Sequence, residues 1–534
     1  MSRPSGESRS VSTALGAAGR LLRDRPAAVL PAYLLSIGLT AAARVPLTIG
    51  IGVAVASLAA TGRLEPLVRA AVELQEAVRD GDGSGAGLAP GAGSDPGAGA
   101  GGLPAGAGEA LTDAAATAVT PTVVAAVGIG AVGAVLVGLL AGALGSAVTY
   151  GTVWGGLDGR APLVSGVRSA GRWRTFLGLA LVRAVVILVA VGVPLFAGVN
   201  LAVSPTVIAG DAAESVAAVL LTVALVGLGV VFVLLAYFLL AFAESAAIVD
   251  DAGTVGSIRA SLGFVRDHPA HTLGFALVAV GGYVAAAVAV GVANAAGAGS
   301  LGGIVLPLFV APLLDTGATA LYAGSDGPEP VERRGAGARA RRALRLGWSE
   351  LAGFVRGHAI AVLAALATLA GGIAAGYATT APYGVTASGP SDVAGVFGAV
   401  PIGPFVTIAA NNWLVSAGLA YGGLALGVPA VSGLLFNGVL VGALAGVFDR
   451  TAFLALVAPH GVLELPVIAV AGGLGLHLGG VGWRAVRGRA DAETVAGELE
   501  RAAYVLVGIG VLLVIASAIE AFLTPQIAAA VVGG

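Results

Sequence analysis

The chain has 534 residues, of which 57% are hydrophobic and only 11% charged, against roughly 25% charged in an ordinary soluble domain. That is too little polar surface to keep a globule of this size in water, so the solvent must be lipid. With no Cys the chain has no disulfide framework and no thiolate ligand or nucleophile, and its net charge of −2 argues against a nucleic-acid partner, which needs a concentrated basic face. All 28 basic residues are Arg, the mark of a GC-rich genome, and the 85 glycines suit close backbone approach between membrane helices.

A hydrocarbon core of roughly 30 Å takes about 20 helical residues to cross. Apolar runs of that length predict an all-α, polytopic membrane fold with eleven spans, six in a first half and five in a second. The first half holds spans at about 27–60, 119–149, 175–200, 215–248, 271–297 and 301–323. The second holds about 357–378, 403–426, 430–448, 452–482 and 502–524. The first run is far longer than the apolar core of a signal peptide and reads as a retained span.

Arginine placement supports this threading, because short cytoplasmic loops retain positive charge. Arg20, Arg23 and Arg25 precede the first span; Arg160, Arg168, Arg172 and Arg174 follow the second; Arg259 and Arg266 follow the fourth. Arg333, Arg334, Arg339, Arg341, Arg342 and Arg345 follow the sixth, and Arg484, Arg487, Arg489 and Arg501 separate the tenth from the eleventh. All five groups share one side if the N-terminus is cytoplasmic and the C-terminus extracytoplasmic. The expected organisation is a six-span module over 1–324, a basic cytoplasmic linker over 325–346 and a five-span module over 347–534. The Gly/Ala/Pro-rich stretch at 80–108 cannot bury enough apolar surface to order itself and is expected to be a flexible extracytoplasmic loop. The linker arginines serve as a topology signal or meet anionic headgroups, at roughly 1 kcal/mol per Arg.

A short motif repeats before three spans. Leu22-Arg23-Asp24-Arg25-Pro26-Ala27 matches Val265-Arg266-Asp267-His268-Pro269-Ala270, with a looser copy at Phe354-Val355-Arg356-Gly357-His358. Each predicts an amphipathic helix at the interface, with Asp capping the next helix and Pro in its first turn. Arg25, His268 and His358 then read as interfacial anchors. Arg44, Arg183 and Asp315 fall inside spans and are expected to snorkel or pair, for example Arg183 with Asp315, whereas Glu244 and Asp250 need no special role. The first half loosely resembles uncharacterised archaeal multi-span proteins, similar to the membrane domain fused to some glycerophosphodiester phosphodiesterases, with no active-site motif.

Beyond residue 403, polar groups interrupt apolar helices: Asn411-Asn412, Asn437-Gly438 with Gly442 and Gly446, His460 and Glu464 within Pro459–Pro466, and Glu520. An amide or ionisable side chain in hydrocarbon must face a partner or a water-filled cavity, so these are expected to point inward as one polar cluster. His460 and Glu464, four apart, share a helix face, and Pro459 and Gly461 are expected to open the helix there.

At these residues the chain resembles the stage II sporulation protein M family. The doublet Asn411-Asn412, Asn437-Gly438, the block PHGVLELPVIAVAGGLGLHLG from Pro459 to Gly479 and the closing Glu520-Ala521-Phe522 stand in the family's order over about residues 347–527. The resemblance implies a five-helix module whose sporulating members act with partner membrane proteins and a cell-wall hydrolase during engulfment. The six-span N-terminal module departs from that pattern and leaves membrane assembly and transport open.

The expected function is a non-enzymatic scaffold or assembly partner in a membrane complex, with the lipid bilayer and other membrane proteins as partners and no cofactor. A transporter or channel with a midplane polar site is the alternative. An intramembrane enzyme stands last. His460 and Glu464 can serve as acid and base or as two metal ligands, but a catalytic zinc takes three, and the sequence offers no third unless His477 folds back; catalytic and metal residues are therefore expected to be none.

Overall fold

The structure is a computed structural model that describes residues 10–70, 72, 107–202, 212–329, 335–383 and 401–532. The expected loop at 80–108 lies outside these residues except for its last two, as do Arg333 and Arg334. The fold is all-α with no strand among the described residues.

Among the described residues, ten helices are long and apolar enough to cross a membrane. They are α2 (Pro26–Ala60), α3 (Pro121–Leu157), α4 (Pro162–Leu201), α5 (Val216–Val249), α7 (Pro269–Ala295), α8 (Gly299–Ala323), α10 (Ala359–Tyr383), α12 (Val428–Val447), α13 (Arg450–Val486) and α14 (Ala492–Val531). The remaining expected span, 403–426, is a 21-residue helix, α11 (Ile402–Gly422). Its length suffices, but Asn411, Asn412 and Trp413 make it less apolar than the other ten.

Three further helices, α1 (Val11–Asp24), α6 (Thr254–Asp267) and α9 (Ala336–Gly357), each precede a membrane helix. Residues 336–346 of the expected linker form the first turns of α9. The repeat is structural as well as textual. A single non-helical residue follows each: Arg25 at φ −132°, ψ 46°, His268 at −132°, 54°, and His358 at −128°, 37°. Its backbone N–H donates to the carbonyl four residues back, on Leu21, Phe264 and Phe354. Its carbonyl accepts from the next helix, at Ala28, Thr272 and Val362. The expected Asp cap is therefore displaced. Asp24 and Asp267 are the last residues of the preceding helix and pair with the neighbouring Arg23 and Arg266, at 3.4 and 3.0 Å.

Two compact units emerge. One comprises Met1–Ala32, Gly142–Gly282 and Pro312–Val331, the other Tyr33–Ala141, Tyr283–Ala311 and Glu332–Gly534. In the first, Ala143, Ala147, Phe176, Leu179 and Leu240 form an apolar core, and Phe242 packs against Phe264, Phe275 and Tyr322.

In the second, small residues set the packing. Gly372 and Gly376 of α10 lie against Gly438, Gly442 and Gly446 of α12 so closely that a Cβ on any of the five would strike backbone or, at Gly446, the Thr380 side chain. Backbone contact at this range gains dispersion that larger side chains would prevent. Polar side chains then tie α11 to its neighbours. The Tyr421 hydroxyl donates to the Leu499 carbonyl at 2.7 Å, Trp413 Nε1 to that of Leu506 at 3.2 Å, and Thr407 Oγ1 to that of Gly297 at 2.6 Å.

Candidate functional site

The C-terminal site is built on α13 and α14. His460 and Glu464 stand one turn apart on α13. Pro459 and Pro466 lie inside that helix, and α13 runs unbroken through them from Arg450 to Val486. The expected opening at Pro459–Gly461 does not occur. Each proline removes one intrahelical donor, and a helix of this length keeps its other bonds on both sides.

Glu520 sits in a π-helical turn, Ile519–Leu523, near the end of α14. The extra residue of such a turn rotates the side chains beyond it relative to a regular helix, and π-turns recur where a helix carries a functional side chain. One ring nitrogen of His460 and one carboxylate oxygen each from Glu464 and Glu520 all lie within 4.8 Å of one another. His460 Nδ1 is 3.4 Å from Thr524 Oγ1, one turn beyond Glu520, and that hydroxyl also donates to the Ile519 carbonyl at 3.2 Å. Glu464 Oε2 is buried and has no hydrogen-bond partner among the described residues.

The asparagines of the expected cluster go elsewhere. Asn437 Nδ2 donates to the Gly433 carbonyl of its own helix at 2.8 Å, and Asn411 Nδ2 lies 3.5 Å from the adjacent Asn412 Oδ1. A short amide carries its own donor and can bond back one turn; an ionised carboxylate accepts only and needs a donor or a cation. His477 does not fold back. Its Nε2 is 3.2 Å from Glu498 Oε2, and its ring packs edge-on against His358 at 4.3 Å between centroids. His358 stacks in turn on Phe354 at 4.8 Å, as His268 does on Phe264 at 4.7 Å.

The other unit holds a polar cluster that sequence reading missed. Arg183 pairs through both terminal nitrogens with the two carboxylate oxygens of Glu244, one contact at 2.7 Å, and its guanidinium stands 5.3 Å from the Tyr237 ring centroid. Asp315, the expected partner, instead accepts from the Tyr150 hydroxyl at 3.2 Å. Tyr322 donates to Asp250, and Ser245 bonds Thr319 at 3.1 Å. Glu244 is thus a working part of the interior, while Asp250, exposed at the end of its helix, holds the Tyr322 hydroxyl. The available signal was an ionisable pair on consecutive antiparallel spans, but partner choice depends on helix rotation, which composition does not reveal.

Comparison with curated proteins and with solved structures yields no match. Residues 360–525, which carry α10 to α13 and the part of α14 that contains Glu520, match the family model of stage II sporulation protein M.

Proposed function

We propose that the protein is a non-enzymatic integral membrane component that assembles with other membrane proteins, with its stage II sporulation protein M-like module as the docking part. It crosses the bilayer eleven times, the N-terminus cytoplasmic and the C-terminus outside, as the five arginine groups require. The observation that carries the scaffold reading over transport is the continuity of α13 through Pro459 and Pro466. Secondary transporters bind at the ends of discontinuous half-helices, and α13 offers none. Val462, between His460 and Glu464 in sequence, is 77% exposed and presents an apolar face to lipid or to a partner helix.

Affinity purification of the tagged protein from its native membrane in mild detergent tests this. Wild type should bring down a stoichiometric membrane partner that a Val462→Arg variant, eluting normally on gel filtration, loses. Recovery of both proteins alone would refute the reading. A proteoliposome flux abolished by Glu464→Gln would establish the transport alternative instead.

A further inference from the structure

We infer that His460, Glu464 and Glu520 bind a divalent transition-metal cation of the zinc class within the membrane. Sequence spacing offers an i, i+4 His–Glu pair and no third ligand. The π-turn of α14 supplies it, because Glu520 brings a carboxylate into the same 4.8 Å group of donor atoms.

Geometry, charge and satisfaction of polar groups point the same way. A tetrahedral ion with bonds of about 2.0 to 2.1 Å holds its donors about 3.4 Å apart. Donors already within 4.8 Å need to close by little more than an ångström, which side-chain torsions supply without moving either helix. Two carboxylates of charge −1 and one dication sum to zero. That neutral set is far cheaper in hydrocarbon than two ionised carboxylates side by side.

Glu464 Oε2 is buried and accepts no hydrogen bond among the described residues, the condition a bound cation corrects. Thr524 Oγ1 stands 3.4 Å from Nδ1 of His460, the kind of contact by which outer-shell partners orient metal-bound histidines. One imidazole and two carboxylates suit zinc, manganese or ferrous iron better than magnesium, which favours an all-oxygen, largely hydrated shell. Three protein ligands leave a fourth position for water or a ligand.

The inference is independent of the scaffold reading, since a docking element and a metal site can each exist without the other. Its test uses the full chain in detergent micelles, stripped with chelator and dialysed against Zn²⁺, with metal counted by elemental analysis and the thermal midpoint followed. Wild type should retain one zinc per chain and melt higher with metal than without. Glu464→Gln and Glu520→Gln, isosteric and neutral, should each weaken retention about tenfold or more and lose the thermal shift. Glu498→Gln, on the same helix as Glu520 but outside the site, should behave as wild type.

Retention well below one zinc per chain by wild type would overturn the inference and leave the two carboxyls as a protonated pair. Equal retention by the Glu464→Gln and Glu520→Gln variants would overturn it too, by placing the metal elsewhere. If a variant elutes as aggregate, His460→Gln in its place decides between the same two outcomes.

Discussion

Glu520 meets Glu464 from a π-helical turn, so two carboxyl groups on separate membrane helices share one donor group with His460. In hydrocarbon such an approach demands a proton, a cation or an aqueous path. Elsewhere in the C-terminal module Asn437 bonds back to its own helix and the Tyr421 and Thr407 hydroxyls donate to carbonyls, whereas His460, Glu464 and Glu520 bring ionisable groups of two helices together, and function is sought there.

The glycine seam between α10 and α12 should be intolerant of bulk. Gly442→Leu places a side chain into the Ile373 backbone and should destabilise the module by about 1 to 3 kcal/mol or more, the range for overpacking. Gly371→Leu, one residue from Gly372 but with open space around it, should be nearly silent. Thermal melts of the two variants in the same detergent check the contrast; equal melting would mean that α10 and α12 do not meet at these residues.

Arg183 and Glu244 form an ion pair whose carboxylate is 7% and guanidinium 25% exposed. Removing one partner of a fully buried pair costs about 3 to 5 kcal/mol; the partly exposed guanidinium moderates that, so Glu244→Gln should cost about 2 kcal/mol or more. Asp315→Asn, which leaves the pair intact, should cost less. The double variant Arg183→Leu, Glu244→Leu should recover much of the loss, because it leaves no lone charge behind. Unfolding midpoints of wild type and the three variants decide this, and a double variant that melts below Glu244→Gln would contradict it.

Tyr421 is fully buried and donates to the Leu499 carbonyl. Tyr421→Phe keeps the ring and orphans that carbonyl, at a cost of about 1 to 3 kcal/mol. The readout is again the thermal midpoint, and a neutral effect would mean that another donor satisfies Leu499.

The absence of Cys from the chain makes topology directly measurable. Single substitutions Gly159→Cys and Gly488→Cys, between α3 and α4 and between α13 and α14, should react with a membrane-impermeant maleimide only after the cytoplasmic side is opened. Gly62→Cys, after α2, should react in intact cells. Labelling of all three from one side would break the eleven-span threading.

Much of the fold was legible because lipid imposes one rule, that the backbone satisfy itself, so apolar length locates each helix, though the ends of some, such as Pro162–Leu201 and Ala492–Val531, lie about ten residues or more beyond the apolar run. The interfacial helices were legible from Arg-Asp-x-Pro, but the residue that breaks the helix was not. Asp suits a cap by type, yet the turn falls one residue later, at Arg25 and His268. The site was partly legible. His460 and Glu464 share a face by spacing and Glu520 was expected beside them as a polar group in an apolar helix, but the π-turn Ile519–Leu523 that carries it has no sequence signal that we recognise. The asparagines misled because a polar residue in lipid must find a partner, and an amide can find one on its own helix.

The most direct test is proximity at the site itself. In the Cys-free background, Glu464→Cys with Glu520→Cys should cross-link through a short bifunctional reagent in native membranes, while Val462→Cys with Glu520→Cys should not, since Val462 points outward from α13. Cross-linking of the first pair alone is the result expected. Failure of the first pair, with the second pair linking, would contradict the joining of Glu464 and Glu520 in one site and remove the ground for a metal there.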